Sequence, residues 1–493
     1  MSAPRPAPIK LSELLRRDVV ADPMITGVTA DSRKVGPGSL FVALPGSAAD
    51  GRAFIPQALS QGAAAVLAPN DTDVRLAPVL ITSGDVRRAY AIAARGFYGS
   101  QPATCVAVTG TNGKTSVAAF CRQIWAALGL HAASMGTLGV LAQTGNVNRA
   151  LTGPGLTSPD AADAARMLAD LAEGGVTHLA LEASSHGIDQ RRLDGVTLQA
   201  AAFTNLSQDH LDYHGDMTAY RDAKLRLFDT LLPRGRTAVL NADSDAYSSF
   251  AAASIMSGLG VMAVGERGRD LSLVARQATP EGQRLTIDAR GTLFEVLLPL
   301  AGAFQASNAL VAAGLCIAAG ESVERVLAGL EKITGAEGRL QRIAGRGPGG
   351  SPGEVYVDYA HTPDGLETVL KALRPHATGR LIVVFGAGGD RDKAKRPMMG
   401  EIAGRLADVA IVTDDNPRSE DPAAIRQSVR AGCPAARVIG DRRAAIREAI
   451  ALMGDGDVVV IAGKGHEQGQ IVGGVTHPFD DATEAAEALR LHA

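Results

Sequence analysis

Residues 106–116 read Val-Ala-Val-Thr-Gly-Thr-Asn-Gly-Lys-Thr-Ser: a short apolar run, then a glycine-rich turn that closes on Gly113-Lys114-Thr115. The pattern over residues 117–128 predicts a helix. A strand feeding a glycine-rich turn at a helix N-terminus holds phosphate, because backbone N–H groups and the positive end of the helix dipole converge on the anion. Lys114 adds a charge there, and the Thr115 hydroxyl suits Mg2+. The common phosphate loop has a glycine five residues before its Gly-Lys pair. Here that position is Val108 and the nearest upstream glycine is Gly110, so the turn is of a shorter type.

Working outward, His178-Leu-Ala-Leu-Glu182, Ala200-Ala-Ala-Phe-Thr204 and Thr237-Ala-Val-Leu-Asn241 read as strands separated by helical segments. Such alternation predicts a mostly parallel sheet with crossover helices. Before it, residues 1–101 carry short α/β elements, with a strand over Ser39-Leu-Phe-Val-Ala-Leu44 and a helix over residues 55–63. The periodicity lapses around Tyr98-Gly-Ser-Gln-Pro-Ala103, which suggests a linker. A second α/β series follows residue 339: Val355-Tyr-Val-Asp358, Leu381-Ile-Val-Val-Phe385, Val409-Ala-Ile-Val-Thr413 and Val458-Val-Val-Ile461. The glycine- and proline-rich piece 345–353 reads as a turn between two strands. The expected organisation is therefore three α/β domains, 1–101, 102–338 and 339–493, in keeping with a length of 493 residues.

Composition excludes several classes. A net charge of −3 gives no electrostatic basis for binding nucleic acid or anionic membrane. No apolar run approaches the roughly 18 residues that span a bilayer. The first ten residues hold three prolines and lack the apolar core of a signal peptide. Cys105, Cys121, Cys316 and Cys433 form no Cys-x-x-Cys pair and fit buried thiols of a reducing cytoplasm. The string Gly386-Ala-Gly-Gly-Asp-Arg391 invites a dinucleotide reading, but its sixth position is Arg391 instead of glycine, so the dehydrogenase reading fails.

Two strand ends downstream of the turn carry candidate metal ligands. Glu182 ends its strand, and His210 lies in Thr204-Asn-Leu-Ser-Gln-Asp-His-Leu-Asp-Tyr-His214. On adjacent parallel strands both would reach the edge where the phosphate turn sits. A carboxylate plus Thr115 suits Mg2+ held by few protein ligands. On chemistry alone, His210 fits a metal ligand and a core or hydrogen-bonding residue equally.

The turn Thr-Gly-Thr-Asn-Gly-Lys-Thr, Glu-Ala-Ser-Ser-His-Gly (182–187) and the 204–215 segment together resemble the Mur ligases, relatives of the folylpolyglutamate synthases. The resemblance runs on through Asp358-Tyr-Ala-His-Thr-Pro-Asp364, Gly388-Gly-Asp-Arg-Asp-Lys393, Thr413-Asp-Asp-Asn-Pro-Arg418 and Ala462-Gly-Lys-Gly-His-Glu467. With Asp31-Ser-Arg33 it covers essentially the whole chain.

The resemblance implies a cytoplasmic, monomeric ligase of peptidoglycan precursor synthesis, an expectation carried by the family alone. ATP would phosphorylate the substrate carboxylate, and an amine would attack the acyl phosphate. It implies ATP contacts at Gly110, Thr111, Asn112, Gly113, Lys114, Thr115, Ser116, Asn308 and Arg339. Two Mg2+ ions would be held at Thr115, Glu182 and His210 and by a CO2-derived carbamate on Lys224. Sequence alone reads Lys224 as a solvated surface lysine of a helix. The family's Gly-x-Phe-Asn-x-x-Asn segment appears as Gly302-Ala-Phe-Gln-Ala-Ser-Asn308, with Gln305 in place of the first asparagine.

The implied nucleotide substrate is UDP-N-acetylmuramoyl-L-alanyl-D-glutamate. Ala30, Ser32, Ser47, Ala48 and Ala49 would contact its uridine end, and Thr157, Ser158, Ser184, Gln190 and Arg192 its sugar and peptide. Asp415-Asn416-Pro417-Arg418 resembles the motif of the branch that adds meso-diaminopimelate as third residue. Arg418 and Arg391 would grip its distal carboxylate, while Glu467 and the Gly463 backbone would take its amine. L-lysine, lacking that carboxylate, would leave the arginines unpaired. An L-lysine-adding enzyme and a folylpolyglutamate synthase are the rival readings.

Overall fold

A computed structural model describes residues 6–46, 49–145, 147–152, 157–279, 281–343 and 353–492. The chain condenses into two compact units, one of residues 1–272 with 310–329, the other of 273–309 with 330–493.

The first unit is built on two large sheets, beside a small antiparallel pairing of Ile9–Lys10 with Met24–Ile25. Four parallel strands run in the order Gly27–Thr29, Ser39–Val42, Ala65–Pro69, Leu80–Ser83. Their core extends through the helix Val86–Tyr98 to Ala161, Ala162 and Ala165 of the helix Ala161–Glu173, which binds this sheet to the next. In the second sheet the apolar run at 104–109 becomes the strand Thr104–Thr109, almost wholly buried as a two-faced parallel strand must be. His178–Glu182 pairs on one side of it, with Glu182 opposite Val108. Ala200–Phe203 pairs on the other, with Phe203 opposite Thr109. The strands of Glu182 and His210 are therefore not adjacent, as the sequence suggested, but flank the phosphate-turn strand. Chain order reverses there, the position where open parallel sheets leave a crevice at their carboxyl ends.

Thr237–Asn241 and Gly260–Gly265 continue the parallel array. At the far edge, Gly139–Thr144 pairs antiparallel with Ala132–Gly136 and with Val147–Thr152. This hairpin lacks the apolar run of a buried strand, since Val147–Thr152 is nearly all exposed, and pattern reading passed over it.

In the second unit, the strand order is Gln341–Ile343, Glu354–Asp358, Val458–Ala462, Leu381–Phe385, Val409–Val412, Arg437–Val438. All neighbours are parallel except the first pair. The turn expected at 345–353 lies outside the described residues up to Gly353, and its flanking strands pair antiparallel. Antiparallel hairpins at Gly282–Ala289 with Thr292–Leu298, and at Gly469–Val472 with Val475–Pro478, went unread in the sequence. The closing helix Asp481–His492 is fixed by a fully buried ion pair in which Arg442 Nε and Nη2 each donate to Asp481 at 2.7 Å. Deleting either partner would strand a buried charge and cost about 3–5 kcal/mol. Arg442 also donates to Ala462 O, so the same pair supports the end of the central strand.

Among the described residues no helix is long and apolar enough to cross a membrane.

Candidate functional site

In the first unit the turn after Thr109 opens a helix at Lys114–Ala127, three residues earlier than its apolar pattern suggested, because Gly113 caps it with φ 88°. Gly110 is compulsory: a Cβ there would fall 1.9 Å from Thr204 Oγ1. The turn is clamped to the strand end beside it. Thr111 N–H donates to Asn205 O, Asn112 N–H to Asn205 Oδ1, and Thr204 Oγ1 to Asn112 O. Lys114 Nζ donates to the carbonyls of Gly110 and Thr111, both at 2.8 Å. Ser116 is buried in the helix's first turn.

Lys224 is not the solvated lysine of the sequence reading. It is 1 % exposed, on the buried side of the helix Met217–Arg226. Its Nζ donates to Gly110 O at 2.9 Å and sits 4.4 Å from the Tyr220 ring centroid. Burial holds its pKa well below the usual lysine value, and Lys114 pushes in the same direction. A neutral amine is the form that adds to CO2, and after carbamylation one N–H remains to donate to Gly110, so the position fits a carbamate.

Thr115 Oγ1 donates to Glu182 Oε2 at 3.0 Å, placing two hard oxygen donors side by side at the turn. That donor set fits Mg2+. His210 is half-exposed with φ 54°; its ring packs edge-on against His186 and its Nε2 lies 3.5 Å from Asp209.

The residues expected to touch the sugar and peptide form one hydrogen-bonded group. Ser158 Oγ meets Ser184 Oγ at 3.0 Å and donates to Glu182 O. Arg192 donates to Ser158 O at 2.6 Å and to Gln190 Oε1 at 2.7 Å. Thr157 joins through Thr137, whose hydroxyl meets Thr157 Oγ1 at 2.9 Å and whose N–H and hydroxyl both donate to Glu182. A continuous chain of contacts thus runs from Thr115 through Glu182 and Thr137 to Thr157. Thr137 was missed in the sequence, where it is one threonine in an unremarkable Gly-Thr-Leu; only its pairing with Glu182 reveals it. Tyr213, which accepts from Gln190 and donates to Asp189, was missed likewise.

Ala30 is half-buried and packs against the core that contains Tyr90, Ala161 and Ala162. Tyr90 donates to Asp160 at 2.6 Å, just past Ser158, and Ala162 N–H donates to the same carboxylate. Ser32 Oγ donates to Gln57 at 3.2 Å. Ser47 and Ala48 lie outside the described residues, and Ala49 is exposed.

In the second unit, Asn308 is buried on the helix Ala303–Ala318. Gln305 is fully buried and donates to Arg339 O at 3.0 Å. The Arg339 guanidinium stacks on Tyr359, 4.5 Å from its ring centroid. The segment is pinned by Asp358, which accepts from the N–H groups of Leu340 at 2.7 Å and Ala360 at 2.8 Å.

The 415–418 loop packs directly on the glycine string 386–389. Gly389 N–H donates to Asn416 O, and a Cβ on Gly389 would fall 1.8 Å from Pro417 O. Close backbone approach, not dinucleotide binding, explains those glycines. Arg418, at φ 55°, donates to Gly389 O at 2.8 Å, and Arg391 stands on the exposed stretch that follows. Asn416 Nδ2 donates to Glu467 Oε2 at 2.9 Å. Gly463 N–H donates to Asp358 O. Asp415, Asn416, Pro417, Arg418, Gly463 and Glu467 therefore share one loop cluster.

Comparison with known proteins gives a consistent answer across the chain. Three family models match: the Mur ligase family catalytic domain over residues 24–96, the Mur ligase middle domain over 108–316, and the Mur ligase glutamate ligase domain over 338–465. The UDP-N-acetylmuramoyl-L-alanyl-D-glutamate–2,6-diaminopimelate ligase of Caulobacter vibrioides is 65% identical over 481 residues, 97% of this chain and 98% of that protein. The like-named protein of Mesorhizobium japonicum is 52% identical, covering 95% of this chain and 96% of its own. A solved structure of a ligase of the same name superimposes with a TM-score of 0.74 at 33% identity, over 98% of this chain and 99% of that one.

Proposed function

The chain belongs to the Mur ligase family, and from that premise we propose that it is the ATP-dependent ligase that joins meso-2,6-diaminopimelate to the D-glutamate of UDP-N-acetylmuramoyl-L-alanyl-D-glutamate. Near-full-length identity with ligases of that name supports the reading. The observation that carries it is the contact chain Thr115–Glu182–Thr137–Thr157, which links the phosphate turn to the residues assigned to the nucleotide-peptide. An enzyme that passes a phosphoryl group from ATP to a substrate carboxylate needs the two sites held in register, because the step depends on positioning and charge neutralisation.

In this reading the turn's N–H groups and Lys114 hold the phosphates, while Asn308 and Arg339 take the remainder of ATP. Bound Mg2+, two ions in the family pattern, supplies charge neutralisation on the phosphates. Thr115, Glu182, His210 and a carbamylated Lys224 would hold it. Thr157, Ser158, Ser184, Gln190 and Arg192 orient the peptide so that its terminal carboxylate meets the γ-phosphate. Arg391 and the 415–418 loop present the amino acid, whose amine attacks the acyl phosphate and releases phosphate. Substrate recognition is divided among residues 1–101 for the UDP end, 102–338 for ATP and 339–493 for the amino acid. The enzyme works as a monomer in the cytoplasm.

The test is ADP release with Mg-ATP, the UDP-dipeptide and, in parallel, meso-diaminopimelate, L-lysine or L-ornithine. Turnover confined to meso-diaminopimelate supports the proposal. Turnover with L-lysine keeps the ligase and overturns the roles of Arg391 and Arg418. No turnover with any of them returns the chain to a folylpolyglutamate-type ligase.

A further inference from the structure

Beneath the 415–418 loop lies a buried cation that the reaction scheme does not use. Lys464 is fully buried. Its Nζ donates to Asn416 Oδ1 at 2.8 Å and to Gly469 O at 2.7 Å, and it lies 3.5 Å from Asp415 Oδ1 and 3.6 Å from Glu467 Oε2. Both lone pairs of Asn416 Oδ1 are committed, since Ile471 N–H also donates to it at 2.9 Å. The amide is thereby locked in one orientation, and Nδ2 has to face Glu467.

The hairpin that begins at Gly469 is laced to the same loop. Gln470 donates to Asp415 O at 2.8 Å, Arg418 N–H to Ile471 O, and Gly473 N–H to Arg418 O at 2.7 Å. Lys464 is thus the tie between hairpin, loop and Glu467. Asp415 Oδ1 is buried without a hydrogen bond, so its field is balanced by the nearby ammonium.

We propose that Lys464 is the positioning residue that sets the choice of amino acid: it locks Asn416 and Glu467 in the pose that takes the distal amine, and it cancels one of the two carboxylate charges there. The inference rests on the ligase reading above and deepens it. On the side that takes the amine, Lys464 stands between the Asp415 and Glu467 carboxylates and offsets one of them, while Arg391 and Arg418 are left to the distal carboxylate. A zwitterionic distal centre, with an amine and a carboxylate on one carbon, tolerates that arrangement. Without Lys464 the two carboxylates beside the amine position lose their nearest counter-charge, which favours a bare amine such as that of L-lysine over a distal centre that also carries a carboxylate.

The experiment compares Lys464→Met and Lys464→Gln with the parent full-length enzyme in the ADP-release assay. Separate KM values are measured for meso-diaminopimelate, ATP and the UDP-dipeptide, together with kcat/KM for L-lysine. In Lys464→Met the KM for meso-diaminopimelate is expected to rise about 10- to 100-fold, the scale of one lost charge-assisted hydrogen bond. The preference over L-lysine narrows, and the other two KM values stay within about twofold. Lys464→Gln keeps a donor to Asn416 without the charge, so it recovers part of the KM and none of the preference. If Lys464→Met does not fold, the narrowed preference in Lys464→Gln decides. An unchanged KM for the amino acid, or a parallel rise of all three, overturns the proposal. Failure of the parent to use meso-diaminopimelate would overturn its assignment as the amino-acid substrate and this inference with it; an active parent matched by its variants would overturn this inference alone.

Discussion

Lys114 and Lys224 donate to one acceptor: both side-chain nitrogens reach the carbonyl oxygen of Gly110, at 2.8 and 2.9 Å. Lys114 and burial both disfavour a charge on Lys224, so Lys114 is the cation of this corner, and the turn's N–H groups point to phosphate as the anion it meets. Removing Lys114 should therefore cost more than one hydrogen bond. For Lys114→Ala, amino-acid-dependent ADP release is expected to fall at least about 100-fold, the scale of losing a charged group that stabilises a transferring phosphoryl. Near-normal turnover in a folded variant would sink the phosphate assignment.

Glu182 carries the second prediction. It is buried, and it accepts from Thr115 Oγ1 and from both the N–H and the hydroxyl of Thr137. Glu182→Gln keeps the shape, removes the charge and turns an NH2 toward one of those donors. The expected outcome is a raised Mg2+ requirement and a loss of turnover of about 100-fold or more. Titrating ADP release with Mg2+ checks it, and an unaltered Mg2+ curve would mean that Glu182 serves only to hold Thr137.

Which parts of this were legible in the sequence follows from physical range. The strands Thr104–Thr109, His178–Glu182 and Val458–Ala462 announce themselves because parallel strands buried on both faces are continuous apolar runs. The hairpin Gly469–Val472 with Val475–Pro478, half-buried on one strand and exposed on the other, has no such run, yet it braces the 415–418 loop. Thr115 and Glu182 were readable because chemistry and spacing mark them. Thr137 was not, since its role arises only when the turn after Ala132–Gly136 meets the end of a neighbouring strand. Lys224 illustrates the same limit: on a helix of mixed polarity a lysine reads as solvated until the fold shows what covers it.

Arg418 tests the amino-acid end. Its guanidinium donates to Gly389 O, and its backbone is held in the left-handed region by exchange with Ile471 and Gly473 of the hairpin. A side chain aimed this firmly suits a planar two-point grip on a carboxylate. Arg418→Ala is expected to raise the KM for meso-diaminopimelate about 10- to 100-fold while leaving that for ATP within about twofold. Equal losses in both would show that Arg418 supports the fold of the unit rather than the amino acid.

His466 yields a pH prediction with a fixed sign. Burial, and after it the nearby Arg339 charge, push its pKa from the ordinary 6.5 down to about 4. Its Nδ1 is buried without a hydrogen-bond partner, as suits a neutral ring. The unfolded chain binds a proton on this residue more readily than the folded one, so its contribution to stability is complete above pH 6.5 and drains away as the pH falls toward about 4. His466→Gln has no such titration. Thermal melts of both proteins at pH 7.5, above the window, and at pH 5, inside it, isolate the term, because other titrating groups are common to both. The parent is expected to lose more melting temperature than the variant between the two values. Equal losses would mean that the His466 ring takes up its proton in the folded state as easily as in water, and that the Arg339 charge does not reach it.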